Sequence, residues 1–423
     1  MTSQPHRLRD FARAQRGSGT TYMLVGTVVA AIAAYLFQLV AGRALGPTAF
    51  APITVLWTIQ FLVFTTVFMP MEQLTIRRLN VTRATATPWA LFLSVIAAAM
   101  VASLLFTVLT LDRLFAGERA YLPIVVVLIA GYGGFALGRG YLAGRQRYRE
   151  YGLSTLAESV LRLLLAVALL AVGIEALGLA WSLVAGAFVV WLWRPLRGER
   201  LRAPAGQERD RSGRALAAFI GANGSSQTIL AAGPLVVGAL GAPAAEVSKF
   251  FETFLLFRAP LTVAYNLVSR VLPPFTRLVD QGEHATLRRW AIRLGALALI
   301  GSVAGYAFGY AVGPQAVAVL LGDEFRPDAT LAALAASGMA IATVALFSQQ
   351  MLIALRATGR LAVAWGVALA VAALTLMVWT GGGDSIRVAR GFLAGEVVAM
   401  VGIVLMVMVA AGRPAAPSGP RTR

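Results

Sequence analysis

A charge near the middle of a bilayer costs at least roughly 2.5–3.5 kcal/mol, so charged groups inside apolar runs persist only where another group or water receives them. Glu158 and Arg162 stand four residues apart within one such run, which puts them on one face of a helix. At a rise of 1.5 Å per residue they lie roughly 10–20 Å deep. Two readings stay open for them: a self-neutralising pair that locks helix packing, or the wall of a cavity. Arg258 is followed by Thr262, Tyr265, Asn266 and Ser269 at near-helical spacing, giving one polar stripe. It either lines a cavity or pairs structurally with Glu252 or Glu396. Asn223, Ser226 and Gln227 stand at comparable depth in another run, and Gln38, Gln60, Gln349 and Gln350 add amides elsewhere. Amides serve as glue between membrane helices as readily as they bind ligands. Glu72 and Gln73 close a further run, with Arg77 one turn beyond Gln73, and Glu396 is a lone acid at depth suited to coupling a proton or ion. The substrate-binding candidates are therefore Arg258, Arg162, Glu158, Asn223, Gln227, Asn266, Gln349 and Gln350. The ion-coupling candidates are Glu396 and Glu72. Arginines facing a shared space would accept an anionic head group, because the planar guanidinium matches phosphate oxygens.

Other chemistries are excluded by composition. The 423 residues contain no Cys, which removes disulfides, thiolate metal sites and cysteine nucleophiles. His6 and His284 are the only histidines, both in polar segments, so no histidine-rich metal site is expected and no cofactor is implied. The net charge of +18 comes from 37 cations, of which Lys249 alone is a lysine. The arginines fall between apolar blocks and not on a basic face with interleaved aromatics, so nucleic acid is not an expected partner.

The elements that must hold the polar groups are membrane helices. Hydrophobic residues make up 58% of the chain and charged ones 13%, with mean hydropathy +0.74; a soluble domain carries about 25% charged residues. Twelve blocks approach the ~20 apolar residues that a spanning helix needs: 20–42, 52–76, 88–111, 121–143, 152–173, 177–193, 216–240, 250–275, 290–312, 331–355, 361–380 and 388–411. The first is too long for a signal-peptide core and is expected to be retained. Interior residues such as Gly233, Pro234 and Pro260 are tolerated in membrane helices and mark kinks.

Arginine placement orients the blocks, since cytoplasmic loops are enriched in Lys and Arg. The N-terminal tail, every second connection and the C-terminal tail are rich in arginine, whereas the alternate connections offer only Arg43, then Arg113 and Arg119, then none, then Lys249, Arg326 and Arg387. The parity fits twelve crossings with both termini cytoplasmic. The organisation expected is a tail over 1–19, an N-lobe of six helices over 20–193, a basic cytoplasmic linker over 194–214, a C-lobe of six helices over 215–411 and a tail over 412–423. Each half repeats a short pattern where its first helix leaves the membrane: Leu39-Val40-Ala41-Gly42 with Leu45-Gly46-Pro47, and Leu235-Val236-Val237-Gly238 with Leu240-Gly241-Ala242-Pro243. Six helices per half preserves orientation, so such repeats are parallel.

Several segments resemble the polysaccharide-biosynthesis (oligosaccharide) flippases of the multidrug, oligosaccharidyl-lipid and polysaccharide exporter superfamily. Gly42-Arg43-Ala44-Leu45-Gly46-Pro47-Thr48-Ala49-Phe50 is similar to the turn between that family's first two helices. Met71-Glu72-Gln73-Leu74 through Arg77 is similar to its glycine-x-glutamate-glutamine segment, with Met71 in place of the glycine. Gly138-Arg139-Gly140-Tyr141-Leu142-Ala143-Gly144-Arg145-Gln146-Arg147-Tyr148 is similar to its fourth-helix exit. These motifs lie mainly in the first half; the second half is weakly matched. The resemblance implies an all-α integral membrane fold of about twelve transmembrane helices in two parallel six-helix lobes around a central cationic cavity. It implies a bacterial plasma-membrane protein that flips a lipid-linked anionic sugar, not an enzyme, with membrane lipids as its other partners. Arg162 and Arg258 would then meet the lipid's phosphates, a placement taken from depth and charge and not from a family motif. Twelve helices lack the extra pair of the lipid II branch, which disfavours the peptidoglycan precursor as cargo.

Other readings compete. A drug/cation antiporter of the same superfamily fits the same features. Major-facilitator transporters share the six-plus-six plan but carry a glycine-x-x-x-aspartate-arginine signature, whereas the second-to-third connection here reads Arg77-Arg78-Leu79-Asn80-Val81-Thr82-Arg83. A polytopic glycosyltransferase or ligase needs positioned acids at an external face, and the only external acid clusters are Asp112 with Glu118 and Asp323 with Glu324. A non-transporting membrane scaffold is the remaining class.

Overall fold

The computed structural model describes residues 19–80, 88–197 and 206–412. Among them every regular element is helical. We number them α1 (Gly19–Val63), α2 (Met69–Asn80), α3 (Trp89–Leu109), α4 (Tyr121–Gly144), α5 (Tyr148–Ala171), α6 (Ala176–Phe188), α7 (Gly206–Ala231), α8 (Gly233–Leu240), α9 (Ala244–Asp280), α10 (His284–Leu321), α11 (Ala329–Ala354), α12 (Thr358–Val378) and α13 (Gly383–Ala410). A π-helical turn, Phe64–Phe68, joins α1 to α2, and a 3₁₀ turn, Val189–Trp193, extends α6.

All twelve apolar blocks lie on helices. Nine helical stretches among the described residues are long and apolar enough to cross a bilayer. The first, Val28–Asn80, holds two of the twelve blocks, because α1 is interrupted at Gly46. The seventh block is divided between α7 and α8, and the eighth lies on α9, whose charged residues dilute its hydropathy. Exposed Leu299, Ile300, Val303 and Phe308 cover the outside of α10. Lipid solvates such side chains, so apolar burial does not hold the helices together; close packing of small residues does.

The described residues divide into two compact units, one ending at Ile220 and one beginning at Gly221. The boundary falls inside α7, beyond the linker expected over 194–214. Helix begins at Gly206 because Gln207, Glu208 and the arginines that follow are good helix formers even though they are polar. Arg78 of α2 holds this polar start by donating to Ser212 Oγ at 2.6 Å.

Each unit is built around its fourth helix. In the first, α4 packs against α2, α3, α5 and α6. It can do so because glycine stands where neighbours come closest: a Cβ on Gly133 would lie 2.7 Å from Ile96 of α3, and one on Gly140 2.9 Å from Thr75 of α2. In the second, α11 packs against α9, α10, α12 and α13, and its alanines meet glycines of α10. The pairings second-on-fourth, third-on-fourth, fourth-on-sixth and fifth-on-sixth recur in both units.

The turns repeat as well. Gly46 (φ 70°) and Gly241 (φ 106°) break the first helix of each half in the left-handed region, each followed by the proline of the short repeat. Between fourth and fifth helices, Gln146 (φ 61°) and Arg356 (φ 55°) occupy the same place. Arg147 N–H donates to Leu142 O at 2.8 Å, and Ala357 N–H to Leu352 O at 2.8 Å, the six-to-one bond of a Schellman cap.

Candidate functional site

Within the first unit the fifth helix carries the expected pair. Arg162 Nη1 donates to Glu158 Oε1 at 2.7 Å, and both residues are buried. Tyr132 of α4 donates its hydroxyl to the same oxygen at 2.5 Å, Ser159 Oγ donates to Glu158 Oε2 at 2.7 Å, and Arg162 reaches Tyr132 Oη at 3.1 Å. The guanidinium lies over the rings of Trp57 (4.4 Å) and Phe37 (5.5 Å), themselves stacked. The pair is thus self-neutralised inside one unit. The expectation that Arg162 lines an open cavity is corrected here: it is 3% exposed. Glu158 is committed to the same network. An i, i+4 pair on a helix whose polar face turns inward finds its partner locally before it finds a ligand.

A second network lies beside it. Glu72 of α2 accepts from Arg139 Nη2 at 3.3 Å and from Tyr151 Oη at 2.9 Å, and Arg139 donates to the Tyr151 hydroxyl. Arg139 also lies over the rings of Tyr151 (4.5 Å), Phe135 (5.4 Å) and Phe64 (5.8 Å). Phe64, Tyr132 and Phe135 contact one another ring to ring, so aromatic packing joins the two networks. Phe64 opens the π-helical turn, which displaces the helix register where the two networks meet. Glu72, an ion-coupling candidate, is therefore countered by a guanidinium. Arg139, Tyr132 and Tyr151 were not among the candidates. The signal for Arg139 was present as a lone cation flanked by glycines inside an apolar block, Gly138-Arg139-Gly140.

The second unit is arranged differently. Pro234 has no N–H, so the carbonyl four residues earlier, that of Leu230, loses its helical donor. Arg258 of α9 supplies one, donating through Nη2 to Leu230 O. On the same seam Gln227 Nε2 of α7 lies 3.4 Å from Tyr265 Oη of α9. Arg258, Gln227 and Asn223 are half-buried and Tyr265 is exposed, so this seam has polar groups within reach of solvent or ligand. Asn266 lies on α9, but its side chain is outside the described residues.

The remaining candidates are dispersed. Gln349 of α11 accepts from Trp365 Nε1 of α12 at 3.3 Å, acting as a bridge between helices. Gln350 is buried and donates back to Leu346 O of its own helix at 3.1 Å. Glu396 of α13 is fully buried with neither oxygen hydrogen-bonded, and the charge of Arg258 reaches it. Glu252 of α9 is buried with Oε1 unpartnered. The structure therefore places Gln227 and Arg258 on one seam between α7 and α9, with Asn223 one turn from Gln227 on α7, leaves Glu396 fully buried on α13 within electrostatic reach of Arg258, and keeps Arg162 and Glu158 in a closed network of the first unit. Among the described residues no group of acids and histidines could hold a metal ion.

This arrangement of helices has solved counterparts. An inward-facing multidrug resistance MATE family transporter of the MOP superfamily matches 90% of this chain and 94% of its own, with a TM-score of 0.65 and 15% identity. A MOP superfamily transporter from Pyrococcus furiosus matches 92% of this chain and 95% of its own, with a TM-score of 0.56 and 15% identity. At such identity the likeness fixes the fold: the chain has the all-α integral membrane architecture of MOP-superfamily transporters. In sequence it is 30% identical over 250 residues to the uncharacterized protein Rv3630 of Mycobacterium tuberculosis (strain ATCC 25618 / H37Rv), covering 55% of each. It is 29% identical over 243 residues to the uncharacterized protein Rv1510 of the same strain, covering 54% of each. The chain spans about half the length of the curated relatives it matches. No protein-family profile matches it.

Proposed function

We propose that this chain is a membrane transporter that flips a polyprenyl phosphate-linked oligosaccharide from the cytoplasmic to the outer leaflet by alternating access, for cell-surface polysaccharide synthesis. The observation that carries the transport reading is the likeness to an inward-facing MOP-superfamily transporter over nine-tenths of the chain. The anionic lipid cargo rests on the flippase-like segments around Gly46, Glu72 and Arg139 and on the half-buried guanidinium of Arg258. In this reading Arg258 meets the phosphate with its planar fork, while Asn223, Gln227 and Tyr265 offer neutral donors and acceptors to sugar hydroxyls. Glu396, a buried acid with neither oxygen hydrogen-bonded, is the ion-coupling group. Arginine alternation along the connections supports a bacterial plasma-membrane location with both termini cytoplasmic.

The test is leaflet-resolved labelling of a polyprenyl phosphate-linked sugar in proteoliposomes. Transport without any new glycosidic product is expected, with Arg258→Ala lowering the rate at least tenfold while insertion is kept, in line with loss of a charged hydrogen bond worth about 1.5–3 kcal/mol. An unchanged rate in Arg258→Ala would remove the site, and a new glycosidic bond would make the protein an enzyme.

A drug/cation antiporter is the second reading, favoured by the multidrug resistance transporter among the solved counterparts. It predicts proton- or sodium-driven efflux of organic cations and no effect of polyprenyl phosphate.

A further inference from the structure

The break between α7 and α8 is read by one face of α9. Phe250, Phe254 and Arg258 recur every four residues and so share that face. Phe250 packs where a side chain on Gly233 would be, since a Cβ there would lie 2.4 Å from its ring, and it stacks on Phe254 at 4.2 Å. Arg258 then reaches the Leu230 carbonyl that Pro234 leaves without a helical donor. Glycine, proline and guanidinium thus act at one point of the first helix of this unit: Gly233 admits the ring, Pro234 opens the ladder and Arg258 fills the gap.

The guanidinium has a second claimant. Glu396 is buried with both oxygens free of hydrogen bonds, and the charge of Arg258 reaches it. Gly395 beside it packs near Ile229, the residue before Leu230. An anion arriving at Arg258 therefore competes with a bond that secures a helix break.

We propose that Arg258 is a latch on the α7–α8 break, and that an anionic phosphate taking its guanidinium frees the Leu230 carbonyl and loosens the hinge. Substrate binding and helix motion become one event, because a phosphate held in both prongs of the planar fork turns Nη2 away from the Leu230 carbonyl. The release step rests on the proposed anionic cargo; the latch itself does not. Restoring an N–H at position 234 removes the need for the latch, and this separates the two.

The chain has no cysteine, so Gly221→Cys with Leu240→Cys places two spin labels at exposed positions flanking the break. In phosphatidylcholine nanodiscs the full chain should give a narrow distance distribution. Arg258→Gln should broaden it; Pro234→Ala should keep it narrow and abolish the effect of Arg258→Gln. Should Arg258→Gln fail to insert, Arg258→Lys, which lacks the planar fork, is read the same way. Adding polyprenyl phosphate to the nanodiscs should broaden the parent distribution and leave that of Arg258→Gln unchanged.

A distribution unaltered by Arg258→Gln, or broadened equally in both backgrounds at position 234, overturns the latch. If polyprenyl phosphate fails to bind but inorganic pyrophosphate broadens the parent distribution, the latch stands and the lipid cargo falls. If neither phosphate broadens it while Arg258→Gln does, the release step is overturned.

Discussion

In the first unit the two buried carboxylates among the described residues, Glu72 and Glu158, each face a guanidinium and a phenol. In the second, Glu252 and Glu396 are equally buried; Glu252 Oε1, like Glu72 Oε2 in the first unit, has no hydrogen-bond partner, and Glu396 has none on either oxygen. The two units share their order of helix pairing and their turn geometry, so the contrast lies in side chains laid on a common frame. A carboxylate paired with a guanidinium in a low-dielectric interior is held in place, because parting the two leaves bare charges. An acid without partners has no such anchor and gains most from a proton, a cation or the approach of a nearby guanidinium. The first unit uses charge to fix its shape; the second holds charge in reserve around Arg258.

The largest expected effect breaks the rigid side. Removing one member of a buried ion pair leaves the other uncompensated, typically at a cost of about 3–5 kcal/mol. Arg162→Ala should lower stability by that order, read by thermal unfolding in detergent micelles. The double replacement Glu158→Leu with Arg162→Leu should recover most of the loss, because it removes both charges and leaves apolar groups in contact with Phe37 and Trp57. A loss under about 1 kcal/mol for Arg162→Ala would show that water already reaches the pair, and the comparison would fail.

The second prediction sharpens the other side. Glu396→Leu replaces a buried, unpartnered carboxylate by an apolar side chain of similar bulk and should stabilise the protein by about 1–3 kcal/mol, the cost of an unsatisfied buried polar group. Transport should fall in the same variant. Stability gained while activity is lost marks a residue kept for function, the reverse of what Arg162→Ala should do to stability. A destabilised Glu396→Leu protein would place Glu396 in the structural class with Glu158.

Much of this was legible from the residues. All twelve apolar blocks are helical because run length and hydropathy are properties of the chain itself, and the Glu158–Arg162 pair followed from a four-residue spacing. The glycine and proline that end each first helix, Gly46-Pro47 and Gly241-Ala242-Pro243, marked true breaks, since both glycines take the left-handed conformation that interrupts a helix. What could not be read was the partnership of groups far apart in sequence. Tyr132 joins Glu158 across 26 residues, and Tyr151 joins Glu72 across 79. Nothing in either local pattern separates a pair closed off by a tyrosine from a pair open to a cavity, so both readings of Arg162 stood open in the sequence, and the structure places it in a core. The bond from Arg258 to Leu230 was half legible: Pro234 announces an orphaned carbonyl at position 230, but the helix that answers it depends on packing.

The smallest expected effect tests the frame that the two units share. Gln146 and Arg356 are exposed and hold the left-handed position of matching Schellman caps, where glycine is the usual occupant because a Cβ is strained there. Gln146→Gly and Arg356→Gly should each raise stability by roughly 0.5–1 kcal/mol, the strain relieved less the backbone entropy that glycine brings to the unfolded chain. Similar gains at both sites, additive in the double variant because they lie in separate units, would establish the turns as equivalent parts of one repeated design. A gain at one site and a loss at the other would mean that one side chain performs a local task outweighing its strain. The units would then differ in their turns as well as in their buried charges.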